Sequence, residues 1–215
     1  VTGVEEPITF RCDNLIIEGR LGIPGGRRFA GRKAVVVTHP HPLYGGTMDN
    51  PVVEAVCRGY RRSGYATLRF NFRGAGQSQG RHEGGPGERR DVRAGIGFMA
   101  GRGYSPIDLA GYSFGAWVNA FIDCRTDHLG RMTMISPPAG LLDFEGVADI
   151  DCLRLVVTGG RDDIAPARMV AKLLEDWNRE AMLEVIPEAD HFYSGCLQAL
   201  EGVLTARLGG SHRPD

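Results

Sequence analysis

The sequence has no block of like charges, no CxxC pair, no apolar run near the ~18 residues that a membrane helix needs, and no repeat or low-complexity segment. Each absence removes a class of protein. Lys plus Arg number 25 against 26 Asp plus Glu, all dispersed, so nucleic acid finds no electrostatic footprint. The arginine clusters "GRR" at 26–28 and "YRRSGY" at 60–65 read as solvated loop and helix surface. Five cysteines, Cys12, Cys57, Cys124, Cys152 and Cys196, are widely spaced, and an odd number cannot all pair within one chain. The expectation is reduced thiols in a cytoplasmic protein. The opening "VTGVEEPITF" carries glutamates where a secretory leader has basic and then apolar residues, so these residues are not themselves a leader, and a soluble protein is expected.

Glycine is abundant instead, with 31 residues, about twice the usual share. Many of these glycines directly follow strand-like runs, where tight turns hand the chain on. A chain of 215 residues hides roughly 70% of its unfolded surface, so residues 1–215 are expected to form one domain. Eight strand-like runs are present: "PITFRC", "LIIEGRLGIP", "KAVVVTHP", "YATLRFNFR", "IDLAGYS", "RMTMIS", "LRLVVTGG" and "MLEVIPEA". Helical stretches separate most of them: "NPVVEAVCRGYRRSG", "ERRDVRAGIGFMAG", "SFGAWVNAFIDC" and "PARMVAKLLEDWNRE", with a last one at "SGCLQALEGVLTARL". Residues 137–152 carry no clear helix. The first two strands read as an antiparallel pair, and the alternation after them predicts an α/β fold with a mostly parallel sheet covered on both faces. In such sheets ligands bind at the carboxyl ends of the strands.

One strand end carries a chemical motif. "IDLAGYSFGAWVNAF" joins a buried strand to a helix through Gly111-Tyr112-Ser113-Phe114-Gly115, a G-x-S-x-G in the strand-turn-helix setting that a nucleophile elbow requires. A serine hydroxyl is a weak nucleophile and needs a base oriented by an acid. Asp162 and Asp163 follow one later strand, and either can be the acid; His191 follows the last strand and is the candidate base. The order Ser, Asp, His is that of the hydrolase sheet. The glycines of "RGAGQSQG" are spaced GxGxxxG after the fourth strand, which does not fit a dinucleotide loop, so they are expected only to supply positive backbone dihedrals.

Taken together, "THPHPLYGGTMDN", "LRFNFRGAGQSQG", "LAGYSFGA", "ISPPAG", "GGRDDIAP" and "EADHFY" resemble the α/β-hydrolase superfamily, in particular its small capless bacterial hydrolases related to dienelactone hydrolase. The resemblance spans nearly the whole chain. It implies an α/β-hydrolase fold with Ser113 as nucleophile, Asp162 as acid because it stands four places before Pro166, and His191 as base. Dienelactone hydrolases proper have cysteine at the elbow, so their substrate is not inherited. Dehalogenase and epoxide-hydrolase relatives have aspartate there, and serine argues against both chemistries. The segment 136–151, where larger relatives insert a lid, is too short to hold one.

In "HPHPLYGG" the alternation of His39 and His41 invites a metal, but catalytic zinc normally takes three protein ligands and no third stands at a recognisable spacing. No metal and no cofactor are expected. Acyl transfer needs two N–H donors for the oxyanion; Phe114 supplies one, and Pro40 and Pro42 have none to give, leaving His41, Leu43 or a residue slightly later for the second. Resemblance to relatives selects the His41 backbone. His39 is expected to orient the loop by hydrogen bonds. Leu43, Tyr44, Phe144, Ile164, Phe192 and Tyr193, with Phe114, are the candidates for a shallow pocket around a small acyl group. The implied activity is cleavage of small carboxylic esters or thioesters through an acyl-enzyme. The alternatives are a lyase or a cofactor-free haloperoxidase on the same scaffold, or a non-catalytic binding protein. The sequence says nothing of oligomeric state.

Overall fold

The computed structural model describes residues 5–25 and 33–209, so the "GRR" cluster lies outside the described residues. Eight strands form one sheet: β1 (Glu5–Cys12), β2 (Leu15–Gly22), β3 (Ala34–Thr38), β4 (Ala66–Phe70), β5 (Ile107–Tyr112), β6 (Leu129–Ile135), β7 (Leu153–Gly159) and β8 (Met182–Ile186). Their spatial order is β1-β2-β4-β3-β5-β6-β7-β8. The β1/β2 and β2/β4 pairs are antiparallel and every later pair is parallel. The helices are α1 (Pro51–Arg62), α2 (Pro86–Ala100), α3 (Phe114–Ala120), α4 (Ala167–Trp177) and α5 (Leu197–Gly209).

The central strands are apolar on both faces because both faces are covered. In β3, Val35 and Val37 pack in the cluster that holds the buried residues of α1 and α5, while Val36 faces the larger cluster containing Val92 and Ile96 of α2. Period-two alternation thus feeds two cores from one five-residue strand. Helix α1 starts where Asn50 Oδ1 accepts the Val52 N–H at 2.9 Å and Pro51 presets the first turn. Helix α2 starts where the buried Glu88 carboxylate accepts the N–H groups of Gly85 at 2.7 Å and Glu83 at 2.9 Å.

The turn after β4 is built as expected, with Gly74, Gly76 and Gly80 at φ 76°, 53° and 87°. Beneath it the buried Arg73 guanidinium pairs with Asp91 of α2 through Nη2 at 2.8 Å and Nε at 3.1 Å.

Two expectations are corrected here. The helix after the elbow ends at Ala120, short of the predicted stretch, because the chain tightens into three-residue turns at Phe121 and Ile122 and then an Asp123 turn accepting the Arg125 N–H. Nor are all thiols reduced: Cys124 and Cys152 form a disulfide, with Cα atoms 5.5 Å apart. Sequence spacing hides this pair because the end of α3 and the start of β7 meet only after β6 has been laid between them. Among the described residues, no helix is long and apolar enough to cross a membrane.

Candidate active site

Between β5 and α3 a single residue, Ser113, makes the turn at φ 54° and ψ −118°. A side chain in that region costs about 1–3 kcal/mol and persists only where its surroundings enforce it. Here they do. The Ser113 N–H donates to Ile135 O at 2.9 Å. A Cβ on Gly111 would lie 2.5 Å from Asn119 Nδ2, and one on Gly115 would lie 2.6 Å from Thr38 Oγ1. Glycine at both flanks is what allows strand, turn and helix to close on each other.

The loop after β8 brings His191 over this turn. Its Nε2 lies 2.9 Å from Ser113 Oγ, and its Nδ1 lies 3.0 Å from each oxygen of Asp162. The Tyr112 hydroxyl donates to His191 O at 2.8 Å and pins the loop from below. Asp162 Oδ1 also accepts the Ile164 and Ala165 N–H groups at 3.0 and 2.7 Å. Burial pushes Asp162 towards its neutral form, but hydrogen bonds from His191, Ser136 and Ala165 and the His191 charge outweigh it and hold the carboxyl below its ordinary range. Asp163, the other candidate, faces solvent. An imidazole bonded in this way can take a hydroxyl proton on one nitrogen while a carboxylate steadies the other.

The loop after β3 is a short 3-10 turn (Pro42–Tyr44). Its own bonds consume most of its donors: the Leu43 N–H goes to His41 Nδ1, Tyr44 and Gly46 to His41 O, and Gly45 to Pro42 O. Among the described residues, the N–H groups of His41 and Phe114 have no acceptor. His39 is buried and bonded at both nitrogens, its Nδ1–H to Pro40 O at 2.6 Å and its Nε2 to the Phe72 N–H at 3.0 Å. Burial, opposed only in part by the Pro40 bond, lowers its pKa to about 4, so the ring is neutral. It ties the loop to the end of β4, and neither nitrogen is left for a metal.

The pocket candidates divide. Leu43, Tyr44 and Phe192 are 69%, 80% and 66% exposed and, with Leu141 at 61%, are the most exposed large hydrophobic side chains among the described residues. They sit on loops after β3, β6 and β8, at the carboxyl end of the sheet, where Ser113 also lies. Ile164 is half-buried beside Asp162, to which its amide donates. Phe144 and Tyr193 are corrected to the core. Phe144 packs on Trp177 with ring centroids 4.9 Å apart, and Tyr193 is buried with its hydroxyl 3.1 Å from Ser136 Oγ. An aromatic ring after a strand end buries itself when a helix or a neighbouring loop covers it, which one-dimensional spacing does not reveal.

Several supporting residues had no sequence role. Tyr112 stands at the open position of the motif, and Ser136 is the serine of "ISPPAG". His82 follows the glycine-rich turn, faces Glu88 at 3.0 Å, and meets His41 and Phe114 only in space.

A mostly parallel sheet whose central strand delivers a strained serine to a buried histidine is the architecture of an α/β hydrolase. Known proteins agree. An α-β serine hydrolase homologue from Coxiella burnetii matches with a TM-score of 0.87 at 30% identity, covering 94% of this chain and 97% of that one. An α/β serine hydrolase without a lid from Xanthomonas campestris matches with a TM-score of 0.86 at 30% identity, covering 98% of this chain and 97% of that one. An uncharacterised protein of Rickettsia prowazekii is 32% identical over 168 residues, 74% of this chain and 71% of its own. No protein-family model matches the sequence. The chain belongs to the α/β serine hydrolases that lack a lid, and its fold neighbours make it a hydrolase.

Proposed function

We propose that this hydrolase cleaves small carboxylic esters, or thioesters, through an acyl-enzyme formed on Ser113. The observation that carries the reading is the continuous line from Ser113 Oγ to His191 at 2.9 Å and on to both oxygens of Asp162 at 3.0 Å. His191 Nε2 takes the hydroxyl proton as Ser113 Oγ attacks the carbonyl, and Asp162 stabilises the imidazolium. The carbonyl oxygen becomes an oxyanion received by the amides of Phe114 and His41, whose N–H groups have no acceptor among the described residues. His191 then protonates the leaving alcohol or thiol; water repeats the sequence in reverse and releases the acid. Exposed Leu43, Tyr44, Leu141 and Phe192 offer apolar surface to the substrate, and water is excluded by the substrate itself in the absence of a lid.

A fluorophosphonate probe tests the nucleophile: wild type is labelled at Ser113 and Ser113→Ala is not. On a panel of esters and thioesters of graded acyl length, Asp162→Asn lowers kcat by about 10⁴-fold because the wrong imidazole tautomer faces the serine. Equal labelling of Ser113→Ala, or unchanged turnover in Asp162→Asn, removes the reading.

A further inference from the structure

Among the described residues, six that are not glycine have a positive φ, and burial divides them. Asp13, His128 and Asp149 stand in exposed connections and belong to residue types that tolerate the left-handed region. Ser113, Ser136 and Tyr193, at φ 54°, 44° and 54°, are all buried. Strain of this kind persists only where the surroundings enforce it, and it gathers where a site needs an atom in a fixed place. Ser113 is the serine of the elbow. The other two call for a reason of their own.

Ser136 ends β6. Its N–H donates to Val157 O of β7 at 2.7 Å, and the residue before it, Ile135, accepts the Ser113 N–H at 2.9 Å, so one corner of the sheet fixes both serines. The side-chain Oγ of Ser136 lies 3.1 Å from Tyr193 Oη, two residues past His191. Above this pair sits the Asp162 carboxylate, and its amide bonds are one-sided. The Ile164 and Ala165 N–H groups both reach Oδ1, while Oδ2 meets His191 Nδ1 at 3.0 Å with no amide on it among the described residues. The Ser136 hydroxyl supplies a further bond to this carboxylate and helps to hold it below its ordinary range. An ionised carboxylate only accepts, so the single Ser136 proton points to Asp162, and the 3.1 Å contact takes its proton from Tyr193. Burial pushes the Tyr193 phenol up, so it keeps a proton to give, with Val157 O at 3.3 Å as a second acceptor.

We infer that Ser136 is a positioning residue for the proposed triad: backed by Tyr193, its hydroxyl fixes the Asp162 carboxylate against His191, and the strained backbone at both residues holds the two hydroxyls in place. This rests on the serine-hydrolase reading. As Ser113 attacks, His191 becomes an imidazolium whose charge is stabilised only while the carboxylate stays in line with Nδ1. A carboxylate gripped through one oxygen can turn about its Cβ–Cγ bond, and a further donor resists that turn. Ser136 is fully buried, away from any substrate, so its effect belongs in kcat and not in KM.

The test measures hydrolysis of p-nitrophenyl butyrate by the wild type, Ser136→Gly, Ser136→Ala and Tyr193→Phe. Glycine adopts φ 44° without strain, so Ser136→Gly removes the hydroxyl and spares the backbone; cooperative unfolding confirms that each variant is folded. Both Ser136 variants are expected to lower kcat by about 10-fold or more with KM within about twofold of the wild type, and to slow fluorophosphonate labelling of Ser113 in proportion. Tyr193→Phe, which acts through Ser136, is expected to lower kcat by about threefold. Proton NMR supplies a signature that a purely structural role would not move: the far-downfield resonance of the His191 Nδ1–H facing Asp162 is expected in the wild type and to broaden or move upfield in Ser136→Gly. A folded Ser136→Gly that leaves kcat or this resonance unchanged, or that changes KM alone, overturns the positioning role and leaves the hydrolase reading standing. Wild-type kcat in Tyr193→Phe overturns the part assigned to Tyr193. A wild type that neither turns over the ester nor labels at Ser113 overturns both readings.

Discussion

At His39 both imidazole nitrogens are bonded, one donating to Pro40 O and the other accepting from the Phe72 N–H, with no access to water. Protonation would destroy the second bond and charge a buried ring. The linkage has a definite sign. In the unfolded chain the ring titrates near 6.5 and in the folded one near 4, so stability is full above 6.5 and is lost as pH falls through that window, by about 3 kcal/mol over its length. Unfolding free energies from denaturant titration at pH 7 and pH 5 are expected to differ less in His39→Gln than in the wild type. Equal pH slopes would show that another group carries the effect. The sequence reading assigned His39 the orienting role, but its partner, the amide of Phe72, becomes visible only when β3 and β4 lie side by side.

At the scale of the element, the strand-turn-helix of β5 and α3 is where local sequence and tertiary contact agree most closely. G-x-S-x-G was legible because each glycine has a steric cause, and the distances give that cause a magnitude. Thr38 Oγ1 and its carbonyl crowd Gly115, so Gly115→Ala is expected to destabilise the fold by about 1–3 kcal/mol and to slow Ser113 labelling by about 100-fold as the turn shifts. Gly97, exposed within α2 with nothing in reach of an added Cβ, is the control: Gly97→Ala is expected to be stabilising by about 0.5–1 kcal/mol. Both effects are read from denaturant midpoints; a neutral Gly115→Ala would show that the elbow has slack. Element order was equally readable from alternating apolar runs, whereas the early end of α3 was not. Its residues 121–124 have apolar and polar neighbours compatible with a helix, and only the turn at Asp123 and the bridge at Cys124 stop it.

At the scale of the whole molecule, the Cys124–Cys152 bridge closes a segment of sequence separation 28 that includes β6. Constraining a loop of that length in the unfolded chain contributes about 3.6 kcal/mol. Reductant is therefore expected to lower the unfolding midpoint of the wild type, while the Cys124→Ser/Cys152→Ser double variant starts at the lower midpoint and does not respond. An unresponsive wild type would count against the bridge. The sequence by itself determined the alternation of strands and helices, the elbow and the Ser, Asp, His order, because these depend on periodicity, turn sterics and chain order, which are local or linear properties. Tertiary structure decided what depends on meeting in space: Asp162 rather than solvent-facing Asp163 against His191, Phe144 and Tyr193 in the core, the disulfide, and His82 beside His41. Those outcomes depend on which strand ends become neighbours in the sheet, and the order β4-β3-β5-β6-β7-β8 brings together residues that no spacing along the chain relates.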